Sequence, residues 1–160
     1  MKKLLMAIAV LFTTATLYTA QAQDAADTPR LSEMLQSYYN IKDALVAGNN
    51  KTASESAAAF IKNLNGISDN PVSKSDVKML LKDAGAIADA KRIDKQRAAF
   101  SNFSSNMTTV AKTLKLSDKP VYIQYCPMKK SSWLSSEQAI KNPYYGSSML
   151  TCGKVTDTIQ

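Results

Sequence analysis

IDKQRAAFSNFSSNMTTVAKTL, residues 93 to 114, sets Ile93, Phe100, Met107 and Leu114 at sevenfold spacing, with Phe103 and Val110 between them. An α-helix turns once every 3.6 residues, so these side chains form one apolar seam suited to packing on other helices. Gln96 interrupts the seam. Arg97, beside it and about one turn after Asp94, reads as half of an ordinary ion pair.

Working back from this segment, three more stretches carry helical periodicity. Leu31, Met34, Leu35, Tyr38, Ile41 and Leu45 share a face that ends at Gly48-Asn49-Asn50, good terminator residues. Ala53, Ala57, Phe60, Ile61 and Leu64 share another, closing at Gly66. Asp69-Asn70-Pro71 is loop chemistry. Ser73 followed three residues later by Asp76 has the pattern of a capping box, and Val77, Leu80, Leu81, Ala84 and Ile87 follow on one face. Four such helices joined by short loops predict an all-α, up-down-up-down four-helix bundle, with the phenylalanines and methionines of these faces as core.

Beyond Lys119-Pro120 the pattern changes to a small C-terminal irregular or β-ribbon appendage. Val121 to Tyr125 is β-branched and aromatic, and Leu150 to Val155 is a second extended candidate. Ser135-Ser136-Glu137-Gln138 has the spacing of a capped helical turn, and Asn142-Pro143-Tyr144-Tyr145-Gly146 is turn chemistry. Pairing of the two extended pieces would bring Cys126 and Cys152 to neighbouring ends of a ribbon, amid Tyr122, Tyr125, Trp133, Tyr144 and Tyr145.

At the other end, Lys2 and Lys3 precede an apolar run from Leu4 to Leu17 that closes at Ala20-Gln21-Ala22. This is the pattern of a secretory signal peptide over 1–22, and it predicts a periplasmic protein. The run is shorter than the roughly 20 apolar residues of a membrane span, and nothing later approaches that length. Residues 23–30 read as a flexible segment, 31–155 as one helical-bundle domain with a cysteine-bearing subregion at 119–155, and 156–160 as a tail. The formal charge of +7 falls by two if Lys2 and Lys3 leave with the signal. The remaining basic residues are scattered, so no nucleic-acid arm is expected.

The chain has no histidine, which excludes Ser-His-Asp and Cys-His catalysis and mixed Cys/His zinc sites. Five glycines, none clustered, leave no phosphate-cradling loop. A conventional enzyme is not expected.

Three readings of the two cysteines follow. A disulfide between Cys126 and Cys152 would stabilise the fold by roughly 3.5 kcal/mol on chain-entropy reasoning, and exported proteins commonly pair their cysteines. Alternatively, Met128 follows Cys126 by two and Met149 precedes Cys152 by three, so two thiolates and two thioethers share one segment. Soft sulfur selects Cu(I) over harder ions. Thiol chemistry at Cys126 is the third reading, and it lacks both a C-x-x-C partner and a histidine base.

YYNIKDALVAGN (38 to 49), DKQRAAFSNFS (94 to 104) and the words YCPM, SSWLS, NPYYG and MLTCGKV within 125 to 155 resemble the exported bacterial domain-of-unknown-function family numbered 3347. Domains of that family stand alone after a signal peptide or are attached to periplasmic adaptor subunits of heavy-metal efflux systems. The resemblance therefore implies handling of copper or a related cation. In it, Cys126, Met128, Met149 and Cys152 match the family's cysteine and methionine words, and Trp133, Asn142, Pro143, Tyr144 and Gly146 match their setting. This chain lacks the histidine- or methionine-rich segments that accompany metal contexts in the family, which favours one transient site over storage. The expected function is a non-enzymatic periplasmic accessory protein that binds or transfers a soft metal, with an efflux component or another envelope protein as partner. The competing expectation is a disulfide-stapled interaction module with no metal role.

Overall fold

The computed structural model describes residues 22–67 and 72–160. The signal-peptide reading of 1–22 and the Asp69-Asn70-Pro71 loop thus lie almost wholly outside the described residues. The elements run α1 (Ala22–Ala47), α2 (Asn50–Asn65), α3 (Lys74–Asp89), α4 (Ile93–Thr113), β1 (Val121–Cys126), β2 (Ser131–Ser135), a 3-10 turn (Gly146–Met149) and β3 (Lys154–Ile159). Four helices packed against each other carry a small antiparallel sheet at the C-terminal end. The first turns of α1 take in residues 23–30, for which the sequence predicts flexibility. Ala22, Ala25 and Ala26 are strong helix formers there.

The helix ends follow their cap chemistry. The Asn49 side chain accepts the Thr52 N–H at 3.1 Å, and Ser73 Oγ accepts the Asp76 N–H at 3.1 Å while donating to Asp76 Oδ2 at 2.6 Å. Gly48, at φ +73, turns the chain between α1 and α2. Successive helices are neighbours, as short connections require. Along the seam of α4, Phe100, Phe103, Met107 and Val110 are buried, and Ile93 and Leu114 pack at its ends. Phe103 meets Phe60 edge-to-face at 4.8 Å and Tyr38 at 5.6 Å.

Gln96 is fully buried within that seam. Its Nε2 donates toward Asn50 O (2.9 Å), Ser54 Oγ (2.9 Å) and Ile87 O (3.3 Å), joining the start of α4 to α2 and α3. The interruption in the apolar pattern is therefore a polar tie between helices. Arg97 differs from its expected role. Asp94 pairs with Arg92 (2.9 Å) instead, and Arg97 Nη2 donates to Leu45 O (2.8 Å) near the end of α1. Placed one turn from Asp94 by sequence, Arg97 faces α1 and adds a second donor to Leu45 O, which also accepts the Gly48 N–H at 3.2 Å, at the helix end whose dipole favours a cation.

In the appendage the sequence reading needs correction. It is a three-stranded sheet in the order β2-β1-β3. Strand β2 was not expected: Trp133-Leu134 lie within it, and Ser135 to Gln138 is no helical turn. Ser135 Oγ accepts the Glu137 N–H at 3.1 Å in a local turn that mimics a cap. The β1–β2 hairpin turns through Pro127 to Lys130, where Lys130 adopts φ +55, so a lysine takes a conformation usually signalled by Gly or Asn. The second extended candidate starts later than predicted, at Lys154, and β3 runs to Ile159 through the residues read as a tail. Val155, Thr156, Thr158 and Ile159 are β-branched, which favours this outcome.

The sheet is fastened to the bundle by buried polar contacts. Tyr38 OH on α1 lies 2.6 Å from Ser104 Oγ on α4 and accepts the Leu134 N–H of β2 at 2.9 Å. Ser101 Oγ and Ser131 Oγ meet at 2.7 Å. Burial raises the Tyr38 pKa well above its ordinary value, so this hydroxyl stays neutral. Among the described residues, no helix is long and apolar enough to cross a membrane.

Candidate thiol site

Cys126 ends β1, and Cys152 lies between the 3-10 turn and β3. Because β1 pairs with β3, with Tyr125 opposite Lys154, the sheet register carries the two thiols together. Their sulfurs are 3.2 Å apart. Both thiols are free, so the staple expected as one alternative is not formed here. Cys126 is buried and Cys152 is half-buried.

The hairpin turn shapes the environment of Cys126. Lys130 N–H closes onto Cys126 O at 2.8 Å, and the N–H groups of Lys129 and Met128 serve the sulfur. Burial is the largest single influence on the Cys126 pKa and raises it. The Lys129 N–H, the Cys152 thiol, the Asn142 side chain and the Met128 N–H together outweigh it, and the net pKa is lowered. Cys152 moves the other way, first through its hydrogen bond with the Cys126 thiol, then through burial and the charge on Cys126. The two shifts oppose each other, so Cys126 is the thiol more readily deprotonated and Cys152 the less.

Asn142 holds the loop that brings Cys152 in. It is fully buried. Its Oδ1 accepts Tyr144 N–H (2.8 Å) and Tyr145 N–H (3.2 Å), and its Nδ2 donates to Cys152 O (2.7 Å). Its own N–H donates to Leu150 O (2.8 Å) and its carbonyl accepts Gly146 N–H (3.0 Å). One asparagine thus fastens both ends of the loop and reaches the Cys126 sulfur.

The residues of the setting are accounted for as packing. Pro143 is buried next to Asn142, Tyr144 OH donates to Ser132 O at 2.6 Å, and the Tyr144 and Trp133 rings meet edge-to-face at 5.9 Å. Gly146 adopts φ +56, and a Cβ there would collide with the Arg97 guanidinium and lie 2.9 Å from Val46 O. Gly153, at φ +151, lets the chain pass the Trp133 ring, which an added Cβ would approach to 2.8 Å. Tyr122, Tyr125 and Tyr145 are half-buried rather than part of that packed pair.

Met128 and Met149, the expected auxiliary ligands, are not core gap-fillers. Met128 is 65% exposed in the turn after Cys126. Met149 is 37% exposed, and its carbonyl accepts the Cys152 N–H at 3.1 Å. Among the described residues no group of three or more His, Cys, Asp or Glu side chains gathers, so any ligands beyond the two thiols would come from thioethers or outside donors.

Two functional features escape the sequence reading. Asn142 shows there as turn chemistry before a proline and as part of the setting the resemblance implies, but its hold on the thiol loop does not, although an Asn side chain capping two following N–H groups is the mechanism behind the turn signal. Exposure of Met128 and Met149 has no signal in composition at all.

With this geometry established, the comparison with known families can be placed on it. The family model described as "Protein of unknown function (DUF3347)" matches residues 34–119. The chain belongs to this family. The family match covers α1 from Met34 through α4 and stops before β1, so it carries the helical body and not the cysteine-bearing words between 125 and 155. No curated protein and no solved structure matches the chain.

Proposed function

We propose that Cys126 and Cys152 form the primary ligands of one soft-metal site, with Cu(I) the preferred ion and Met128 and Met149 as auxiliary thioethers. The observation that carries this reading is the convergence of two free thiols at 3.2 Å, with hydrogen bonds to Cys126 that lower its pKa. Thiolate is the metal-binding form of cysteine, and a site of thiolates and thioethers selects Cu(I). The two thiols would hold the ion, and it would be taken up from solution or a partner as cargo. The exposed side chains of Met128 and Met149 favour transfer over storage, since a partner can approach them directly.

On this reading the protein is a non-enzymatic periplasmic accessory that passes an ion to a metal-efflux component or another envelope protein. Anaerobic titration of the reduced protein with Cu(I), against a competing chelator, tests it. One ion per chain, lost in Cys126→Ser and in Cys152→Ser, supports the site. Binding no stronger than in the double variant rejects it, and leaves the sulfur pair as part of an interaction module.

A further inference from the structure

The two thiols are unequal in access, and that inequality orders their chemistry. Cys126 is buried beneath the hairpin turn, with the Lys129 N–H and the Asn142 side chain on its sulfur, whereas Cys152 is half-exposed on a loop and shares with Cys126 the Met128 N–H. Only Cys152 can be reached by a sulfur from solution. Only Cys126 sits within 3.2 Å to answer it.

We infer that the pair performs thiol–disulfide exchange with external disulfides and thiols, in which Cys152 is the entry sulfur and Cys126 the resolving and leaving sulfur. In the oxidising direction Cys152 Sγ attacks one sulfur of an external disulfide R–S–S–R while its proton passes to Cys126 Sγ. The Cys152–S–R bond forms and R–S⁻ leaves. Cys126 Sγ then attacks Cys152 Sγ, the bond to R–S breaks, and the proton departs with the second equivalent as R–SH. The dithiol loses two electrons to the external disulfide, which is reduced to two thiols, and the sulfur balance is complete.

Reduction runs back along the same path. An external thiolate attacks the accessible Cys152 sulfur of the Cys126–Cys152 disulfide, and Cys126 leaves into the N–H groups of its turn. A leaving thiolate stabilised in this way departs faster. The disulfide is therefore exchangeable and not an inert staple. This inference is independent of metal binding, since it needs only the two sulfurs and their unequal access.

The test uses oxidised glutathione on the reduced full chain, with acid quenching and mass analysis. Wild type should pass through a singly glutathionylated species, with the adduct mapped to Cys152, to a product lighter by two hydrogens. Cys126→Ser should stop at the Cys152 adduct, and Cys152→Ser should react at least about ten-fold more slowly because its remaining thiol is buried. Mapping the transient adduct in wild type does not depend on either variant folding. An adduct on Cys126, or a stable doubly glutathionylated chain with no internal disulfide, would overturn the order proposed.

Discussion

In the helical body, buried polar side chains join helix to helix: Gln96 reaches the backbones of α2 and α3, and Tyr38 bridges α1, α4 and β2. In the C-terminal lobe the corresponding residue, Asn142, joins a loop to itself and to the thiols. The first kind of contact specifies how helices register. The second holds a reactive pair at a protein edge whose exposed neighbours, Met128 and Met149, contribute little to any core. The body thus holds helix against helix and the lobe holds the thiol pair, and the family match, confined to 34–119, falls on the body.

If the two regions are distinct in this way, damage to the lobe should leave the helices standing. Gly146→Ala forces a side chain into a left-handed conformation and against Arg97, and should cost about 2–4 kcal/mol, of which ~1–2 is conformational. Chemical denaturation followed by helical circular dichroism, with thiol accessibility read in parallel, should show the thiols released before the helices melt. Simultaneous loss would make the regions one cooperative unit.

Tyr38→Phe probes the junction itself. It removes the hydroxyl that satisfies both Ser104 and the Leu134 N–H in a buried setting, so a loss of about 1–3 kcal/mol is expected in urea unfolding. A neutral result would mean the lobe is held by apolar packing alone.

The smallest effect lies within the lobe. Asn142→Ala removes one donor to the Cys126 sulfur, and should raise the pKa of that thiol. Thiolate absorbance against pH measures it. The sign for stability follows from the two opposite shifts. The depressed Cys126 pKa gives stability present above its unfolded value and lost as pH falls through its folded value. The raised Cys152 pKa gives stability present below its unfolded value and lost as pH rises through its folded value. In Asn142→Ala the acid-side loss should be smaller and should be complete at a higher pH than in the wild type.

The helices were legible because their signals are local and repeated: the Phe100, Phe103, Met107, Val110 seam, the Ser73–Asp76 cap and the Gly48 terminator each act within a few residues. Strand β2 was not, since its partner β1 lies across a turn built on Lys130, which carries no turn signature. The meeting of Cys126 and Cys152 could be anticipated from extended segments on either side. Their unbonded spacing, their unequal burial and the grip of Asn142 depend on tertiary contacts that residue spacing does not encode.

Anaerobic Cu(I) titration of the reduced chain, read by sulfur-to-copper charge-transfer absorption with a competing chelator present, bears most directly on the thiol pair as a metal site. Saturation at one ion per chain is predicted, with the signal abolished when Cys126 and Cys152 are both replaced by serine and weakened when Met128 and Met149 are replaced by leucine. Undiminished binding by the double serine variant, or no charge-transfer signal from the intact chain, would contradict it.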